Sequence, residues 1–207
     1  MKRLSCKRCL RPLSACLCSV LPEPCIDNCW PVYILQHRQE RSHALNTAHI
    51  AALGLATCQL HTVDDAAVET TLPAALLAEL EHALLIYPGA HSRNVTELNA
   101  AKLAPCPLLL LDGSWRKSRR MLLASPWLQA LPRIGFVLQS PSRYRIRREP
   151  HANYCSSVEA LCAVLGSLER DDEKNKSLLA TMDVIIEQQV EHMGEATFRR
   201  NYAREHD

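Results

Sequence analysis

Two groups of residues have the types and spacing to do chemistry. The first is Asp112-Gly113-Ser114-Trp115, followed at once by Arg116, Lys117, Arg119 and Arg120. An acid ending an apolar run, a glycine turn and a hydroxyl able to cap a helix form the usual ligand-binding corner of an open α/β sheet. A basic face beside that corner can grip phosphates. A small polar ligand and a polyanion would therefore meet at Asp112. The second group is Cys6-x-x-Cys9 with Cys16-x-Cys18, four thiols set close together where little apolar material is present to build a core. A tetrahedral zinc site of four thiolates would supply the missing folding energy; iron–sulfur ligation is the other thiolate chemistry such spacing allows. Lys2, Arg3, Lys7, Arg8 and Arg11 flank the cysteines and would let this knuckle touch RNA. Cys25 and Cys29 read as free thiols beside the first strand, with spare metal ligands as the alternative.

Several elements must position these groups. Leu108-Leu109-Leu110-Leu111, fenced by Pro105, Pro107 and Gly113, reads as a strand buried on both faces. Ser114 caps a helix over about 115–124, with Trp115, Ser118, Met121 and Leu122 on one side and the four basic residues on the other. Upstream, 31–37 is the first strand, and Ser42 caps a helix running to about Leu55. Residues 59–63 form a second strand, 73–81 a helix, and 83–87 a third strand that stops at Pro88-Gly89 and bares backbone amides. The stretch 92–102 is polar and carries no clear pattern. Residues 133–138 read as a further strand. Ser156 and Glu159 form a capping box for a helix to about Leu168. A last helix spans about 178–192, and the tail from Phe198 is polar and peripheral. His37 reads as a hydrogen-bonded residue at a strand end. The fold class is α/β, with an N-terminal Cys-rich unit over 1–29 and a main domain over 30–207.

Composition narrows the class. The chain has 207 residues, is 47% hydrophobic and 22% charged, and carries a net charge of +2. Those values are ordinary for a globular domain, so any nucleic-acid contact must come from local basic patches at 2–11, 116–120 and 143–148. The longest aliphatic run is far short of a membrane span, and the early cysteines interrupt any signal-peptide core. A cytoplasmic protein is expected, since ten cysteines in a reducing compartment serve as metal ligands or thiols rather than disulfides. There is no G-x-G-x-x-G, no G-x-x-x-x-G-K-S/T and no G-x-S-x-G, so three common phosphate-loop and hydrolase readings lose their motif.

Asp112-Gly113-Ser114-Trp115 resembles the Asp-x-Thr/Ser-Trp signature of the DTW-domain family, the tRNA-uridine aminocarboxypropyltransferases. Gln36-His37, Asn46-Thr47, Tyr87-Pro88-Gly89, Arg147-Arg148-Glu149-Pro150 and Ser156-x-x-Glu159-Ala160 resemble further motifs of that family, in its order. The cysteine array is similar to one found in many members. Arg38 stands where the family usually has proline.

The resemblance implies a parallel-sheet domain related to the SPOUT-type RNA methyltransferases, with a trefoil knot in its C-terminal half. S-adenosylmethionine would sit among Tyr87, Pro88 and Gly89, then Asp112, Gly113, Ser114 and Trp115, then Leu138 and the loop to Pro141. Ser156, Ser157 and Glu159 would close that pocket. The implied reaction moves the 3-amino-3-carboxypropyl group of the cofactor to N3 of a tRNA uridine and leaves methylthioadenosine. Asp112 is then the base for the N3 proton, and Trp115 a pocket wall, a stacking partner or a core residue. Arg116, Lys117, Arg119, Arg120, Arg145 and Arg148 would hold the tRNA backbone. The target uridine would have to leave its stack. Two other classes stand beside this one: a methyl-transferring SPOUT-like enzyme, and a non-catalytic zinc-containing RNA-binding protein. No sequence feature sets the oligomeric state, a monomer being one option.

Overall fold

Four leucines in a row cannot be buried by a one-sided layer, because successive side chains of a strand point to opposite faces. The structure, a computed structural model describing residues 4–64, 67–98, 100, 103–138, 140–146 and 155–202, covers them on both sides. In chain order its elements are β1 (Val32–His37), α1 (Thr47–Gly54), β2 (Cys58–Val63), α2 (Val68–Thr71), α3 (Ala74–Glu79), β3 (Leu84–Ile86) and β4 (Arg93–Asn94). There follow β5 (Leu108–Asp112), α4 (Trp115–Ala124), α5 (Pro126–Ala130), β6 (Arg133–Gly135), α6 (Ser157–Glu169), α7 (Lys176–Met193) and α8 (Glu195–Tyr202). The strands form one sheet in the order β2-β1-β5-β3-β6-β4, and every pair is parallel.

Alternation along the strands divides the core in two. Val32 and Ile34 of β1, Leu108 and Leu110 of β5, and Ile134 of β6 join the buried faces of α1, α6 and α7. Tyr33 and Leu35, Leu109 and Leu111, and Leu85 join Leu76 of α3, Met121 and Leu122 of α4, and Leu128 of α5. The result is an α/β sandwich of three layers, with β5 fully buried in the middle one. Leu17, Leu21, Ile26 and Trp30 of the N-terminal segment pack into the first of these clusters. No helix among the described residues is long and apolar enough to cross a membrane.

Several boundaries differ from the sequence reading. α1 begins at Thr47 and not after Ser42, because Asn46 accepts the amide of His49 and so takes the cap. β6 stops at Gly135: β3 and β4 offer it only four paired positions between them, and beyond them Val137 is 74% exposed. The unpatterned stretch 92–102 contains β4 and a 3-10 turn at Val95–Glu97. The pair Ser125-Pro126 starts α5, with the Ser125 hydroxyl accepting from the Leu128 amide. α6 and α7 run to within a residue or two of their expected ends.

Leu109 shows no measurable exposure and is the midpoint of the middle strand. Leu109→Ala should destabilise the protein by about 2–5 kcal/mol, the range for truncating a buried leucine. Chemical denaturation would report it as a lowered midpoint with an unchanged slope.

Candidate active site

Parallel pairing sets the site. β1 and β5 are in register so that Gln36 stands opposite Asp112, at the carboxyl ends of both strands. From there β1 connects outward to β2, while β5 connects through α4 and α5 to β6 on the other side. Such a divergence opens a crevice for ligand. Gln36 is 1% exposed and Asp112 9%. The Gln36 amide donates to Asp112 Oδ2 at 2.9 Å and to Asn46 Oδ1 at 2.9 Å. From α6, Ser157 Oγ donates to Asp112 Oδ1. With a donor on each oxygen, the carboxylate is fixed in plane and direction.

The turn after Asp112 needs its glycine. A Cβ on Gly113 would lie 3.1 Å from Lys117 Cβ and 3.5 Å from His37 Cβ. Ser114 then caps α4, its hydroxyl accepting the Lys117 amide at 3.4 Å. His37 is buried, and its Nδ1 accepts the Gln39 amide, the strand-end role expected of it.

These turns enclose a cavity of about 990 Å³. Tyr87, Pro88, Asp112, Gly113, Ser114, Trp115, Ser156 and Ser157 all line it, so eight of the eleven residues expected to hold cofactor come together. Tyr87 and Trp115 meet edge to face with centroids 6.1 Å apart. Ile86, Leu110, Phe136 and Ile146 give the cavity an apolar side. An apolar body with a few converging polar groups suits a nucleoside-bearing ligand.

Three expected cofactor contacts lie elsewhere. Gly89 does not line the cavity, and its amide is not bare: it donates to Ser92 Oγ at 3.1 Å. Leu138 also lies off the cavity wall, and Gln139 in the same loop falls outside the described residues. Glu159 is buried beneath the wall. Its carboxylate accepts the Ser156 amide at 2.8 Å, completing the capping box, and also the Ser142 hydroxyl and the Arg143 amide, at 3.0 and 2.7 Å. It therefore holds the 142–146 segment, with its cavity-lining Tyr144 and Ile146, against α6.

The basic residues divide. Arg116, Arg119 and Arg120 occupy the exposed face of α4. Lys117 turns inward, pairs with Glu40 at 2.7 Å and lines the cavity. Arg145 is clasped by Glu187, with its guanidinium 5.7 Å above the Phe198 ring. Arg148 and its Arg-Arg-Glu-Pro motif lie outside the described residues.

The sequence reading gives no site role to Gln36, Asn46 or Glu40, nor to Asn201 and Tyr202, which α8 carries to the cavity. A glutamine ending an otherwise apolar strand is the available signal for the first of these. Nothing local marks the C-terminal pair, because their place depends on how α8 folds back on α7.

The Sγ atoms of Cys6, Cys9, Cys16 and Cys18 all lie within 4.8 Å of one another. Cys6 and Cys18 are 3.5 Å apart, Cys9 and Cys16 3.7 Å. The backbone amides of Cys9 and Arg8, with Cys18 beside it, pull the Cys6 thiol down to about 6. Burial and the neighbouring sulfurs push the Cys18 thiol up to about 12. Four sulfurs this close cannot all ionise without a counter-charge, which a divalent cation supplies. Leu10 turns the chain with φ 59°, a left-handed conformation uncommon outside glycine. Four converging sulfurs on two tight turns fit a tetrahedral metal.

The chain is 25% identical over 204 residues to tRNA-uridine aminocarboxypropyltransferase 2 of Mus musculus, covering 97% of this chain and 68% of the relative. It is 27% identical to tRNA-uridine aminocarboxypropyltransferase 2 of Drosophila melanogaster, over 92% of this chain and 77% of the relative. To tRNA-uridine aminocarboxypropyltransferase A of Arabidopsis thaliana it is 24% identical, over 93% and 83%. No solved structure gives a significant match. The DTW domain model matches residues 3–190, and the protein belongs to the DTW domain family.

Proposed function

We propose that this protein is a tRNA-uridine aminocarboxypropyltransferase that uses S-adenosylmethionine. The observation that carries the reading is Asp112, held by Gln36 and Ser157 on the wall of a cavity that Tyr87, Pro88, Ser114, Trp115 and Ser156 also line. When bound, the cofactor supplies its 3-amino-3-carboxypropyl group to uracil N3 and is left as methylthioadenosine. The sulfonium carries three carbons, so selectivity rests on orientation. The cavity walls must hold the transferred methylene about 3–3.5 Å from N3 and turn the methyl away. Tyr87 and Trp115 form a rigid aromatic corner suited to that task. Uracil N3 would have to lose its proton to accept the transferred group, and Asp112 is the residue we assign to take it.

Arg116, Arg119 and Arg120 offer the exposed cationic face that tRNA phosphates need. Lys117 instead braces Glu40 at the cavity, and Arg145 braces α7 and α8. We assign Cys6, Cys9, Cys16 and Cys18 to a structural zinc, with residues 1–29 as the metal-bearing unit and 30–207 as the catalytic one. The parallel sheet supports a SPOUT-like fold, and the C-terminal trefoil knot belongs to the same proposal. Thiolate ligation, with ten cysteines none of which forms a disulfide, favours the reducing cytoplasm.

Four measurements test these assignments. Nucleosides of tRNA incubated with protein and cofactor should contain an aminocarboxypropylated uridine, with methylthioadenosine released. S-adenosylhomocysteine in its place would replace the reading with methyl transfer. In Asp112→Asn, turnover should fall by about 10²–10⁴ while cofactor and tRNA still bind within a few fold, and higher pH should partly restore the rate. Near-normal turnover in a folded Asp112→Asn protein would remove the base assignment.

The double change Arg116→Ala with Arg119→Ala should weaken tRNA binding and lower the salt slope by roughly 0.7–0.9 for each lost phosphate contact. An unchanged slope would mean that these arginines face solvent in the complex. Purified protein should carry about one zinc per four-cysteine site. Cys6→Ser should reduce metal content and soluble yield together, as read by elemental analysis and by recovery after expression.

A further inference from the structure

A second cavity, of about 950 Å³, adjoins the first. His43, Ala44, Asn46 and Gln189 line both, so a single layer of side chains separates the two spaces. Gln36, the residue that orients Asp112, lines the second. None of the residues assigned to the cofactor does so. Part of its wall is the cysteine segment, from Cys9 through Pro12 to Leu17, and α1 and α7 supply much of the rest.

That wall is fastened in place. Arg11 donates to the carbonyls of Ala15 and Ala44, at 2.8 and 2.5 Å, and to Gln188 Oε1 of α7 at 3.0 Å. Its guanidinium thus joins the metal-binding segment to the loop before α1 and to α7. Those bonds engage Arg11, and Arg41 is the other arginine in the cavity lining. That lining mixes aliphatic groups such as Leu53, Leu60 and Ile185 with hydrogen-bonding groups such as Thr62 and Gln188. Burial lowers the pKa of the His49 imidazole, so it adds a neutral ring rather than a charge. Glu191 is the one carboxylate in the lining among the described residues. A flat group with an apolar face and a polar edge, attached to a sugar, matches this chemistry.

We propose that this second cavity is a nucleotide pocket, and that it takes the RNA nucleotide next to the target uridine in the chain. The inference rests on the tRNA reading above and adds a subsite to it. A uridine that enters the first cavity must leave its stack, and its chain neighbour then loses a stacking face as well. The neighbour is tied to the target by one phosphodiester, so only a space directly adjoining the first can receive it. Sequence-selective RNA recognition commonly works on bases splayed out in this way. The cysteine segment then has a second duty: it closes one side of the substrate site, remote from the cofactor.

The test uses the full-length, zinc-loaded protein with its tRNA. A photoreactive benzoylphenylalanine is placed at Leu53, and the cross-linked nucleotide is mapped by primer extension. The modified uridine is located independently by mass spectrometry. The cross-link should fall on the nucleotide immediately before or after that uridine, not on the uridine itself. As a second measurement, Thr62→Trp fills the pocket from the outermost strand of the sheet, where a large ring is readily accommodated. It should raise the KM for tRNA at least tenfold, with zinc content and S-adenosylmethionine affinity within about twofold of wild type. A cross-link that maps to the uridine itself, or two or more nucleotides away, would overturn the proposal, as would an unchanged KM in Thr62→Trp. If wild-type protein modifies no uridine, the tRNA reading itself fails. If it modifies one while the cross-link lies elsewhere, only the second pocket fails.

Discussion

The constraint on which the site depends is the Asp112 carboxylate, buried at the end of the middle strand. A buried acceptor left without a donor costs about 1–3 kcal/mol, and more when it is charged. Gln36 from β1 and Ser157 from α6 meet that demand. Both donors come from elements that pack against β5 or close over its end, so the sheet and α6 cannot shift relative to each other without stranding a charge. Gln36 extends the tie to Asn46, whose oxygen also caps α1. Four elements therefore converge on a single carboxylate. Placement of the carboxylate and local stability rest on the same set of hydrogen bonds.

The N-terminal segment illustrates a different economy of structure. From Cys6 to Cys18 it contributes little to the core, yet Leu17, Leu21, Ile26 and Trp30 anchor this end of the chain to the layer formed by α1, α6 and α7. The sulfur cluster fixes the shape of the segment, the apolar residues fix its position, and Arg11 fixes its orientation. Each kind of interaction is used where the others would be weak. A thirteen-residue stretch has too little apolar surface to fold alone, and a lone arginine has too little reach to hold a whole strand of chain.

Much of this is legible in the residues. The leucine strand, the glycine turn, the Ser114 cap, the capping box and the four-cysteine cluster are local devices, and each forms where its sequence says. The differences are of tertiary origin. Ser42 is as good a cap by type as Asn46, but Asn46 is the one that Gln36 reaches. The hydrophobic run 133–138 looks like a full strand, yet a strand lasts only as long as its neighbours do, and β3 and β4 are short. Lys117 sits among arginines at the right helical spacing to be solvated, but Glu40 draws it to the cavity. The roles of Asn201 and Tyr202 follow from the return of α8, which no local pattern announces.

Glu159 carries the widest consequence. One side chain closes the helix cap with Ser156 and grips the 142–146 segment that walls the cavity. Aspartate at this position would be one methylene too short to serve both partners, and glutamine would bring a donor where four donors already point. Drift at position 159 is thus closed to the two replacements nearest in shape, although the residue does not line the cavity. Invariance in a lineage would in this case record a junction between two pieces of backbone, and a search for reactive groups guided by sequence constancy alone would mistake it for one.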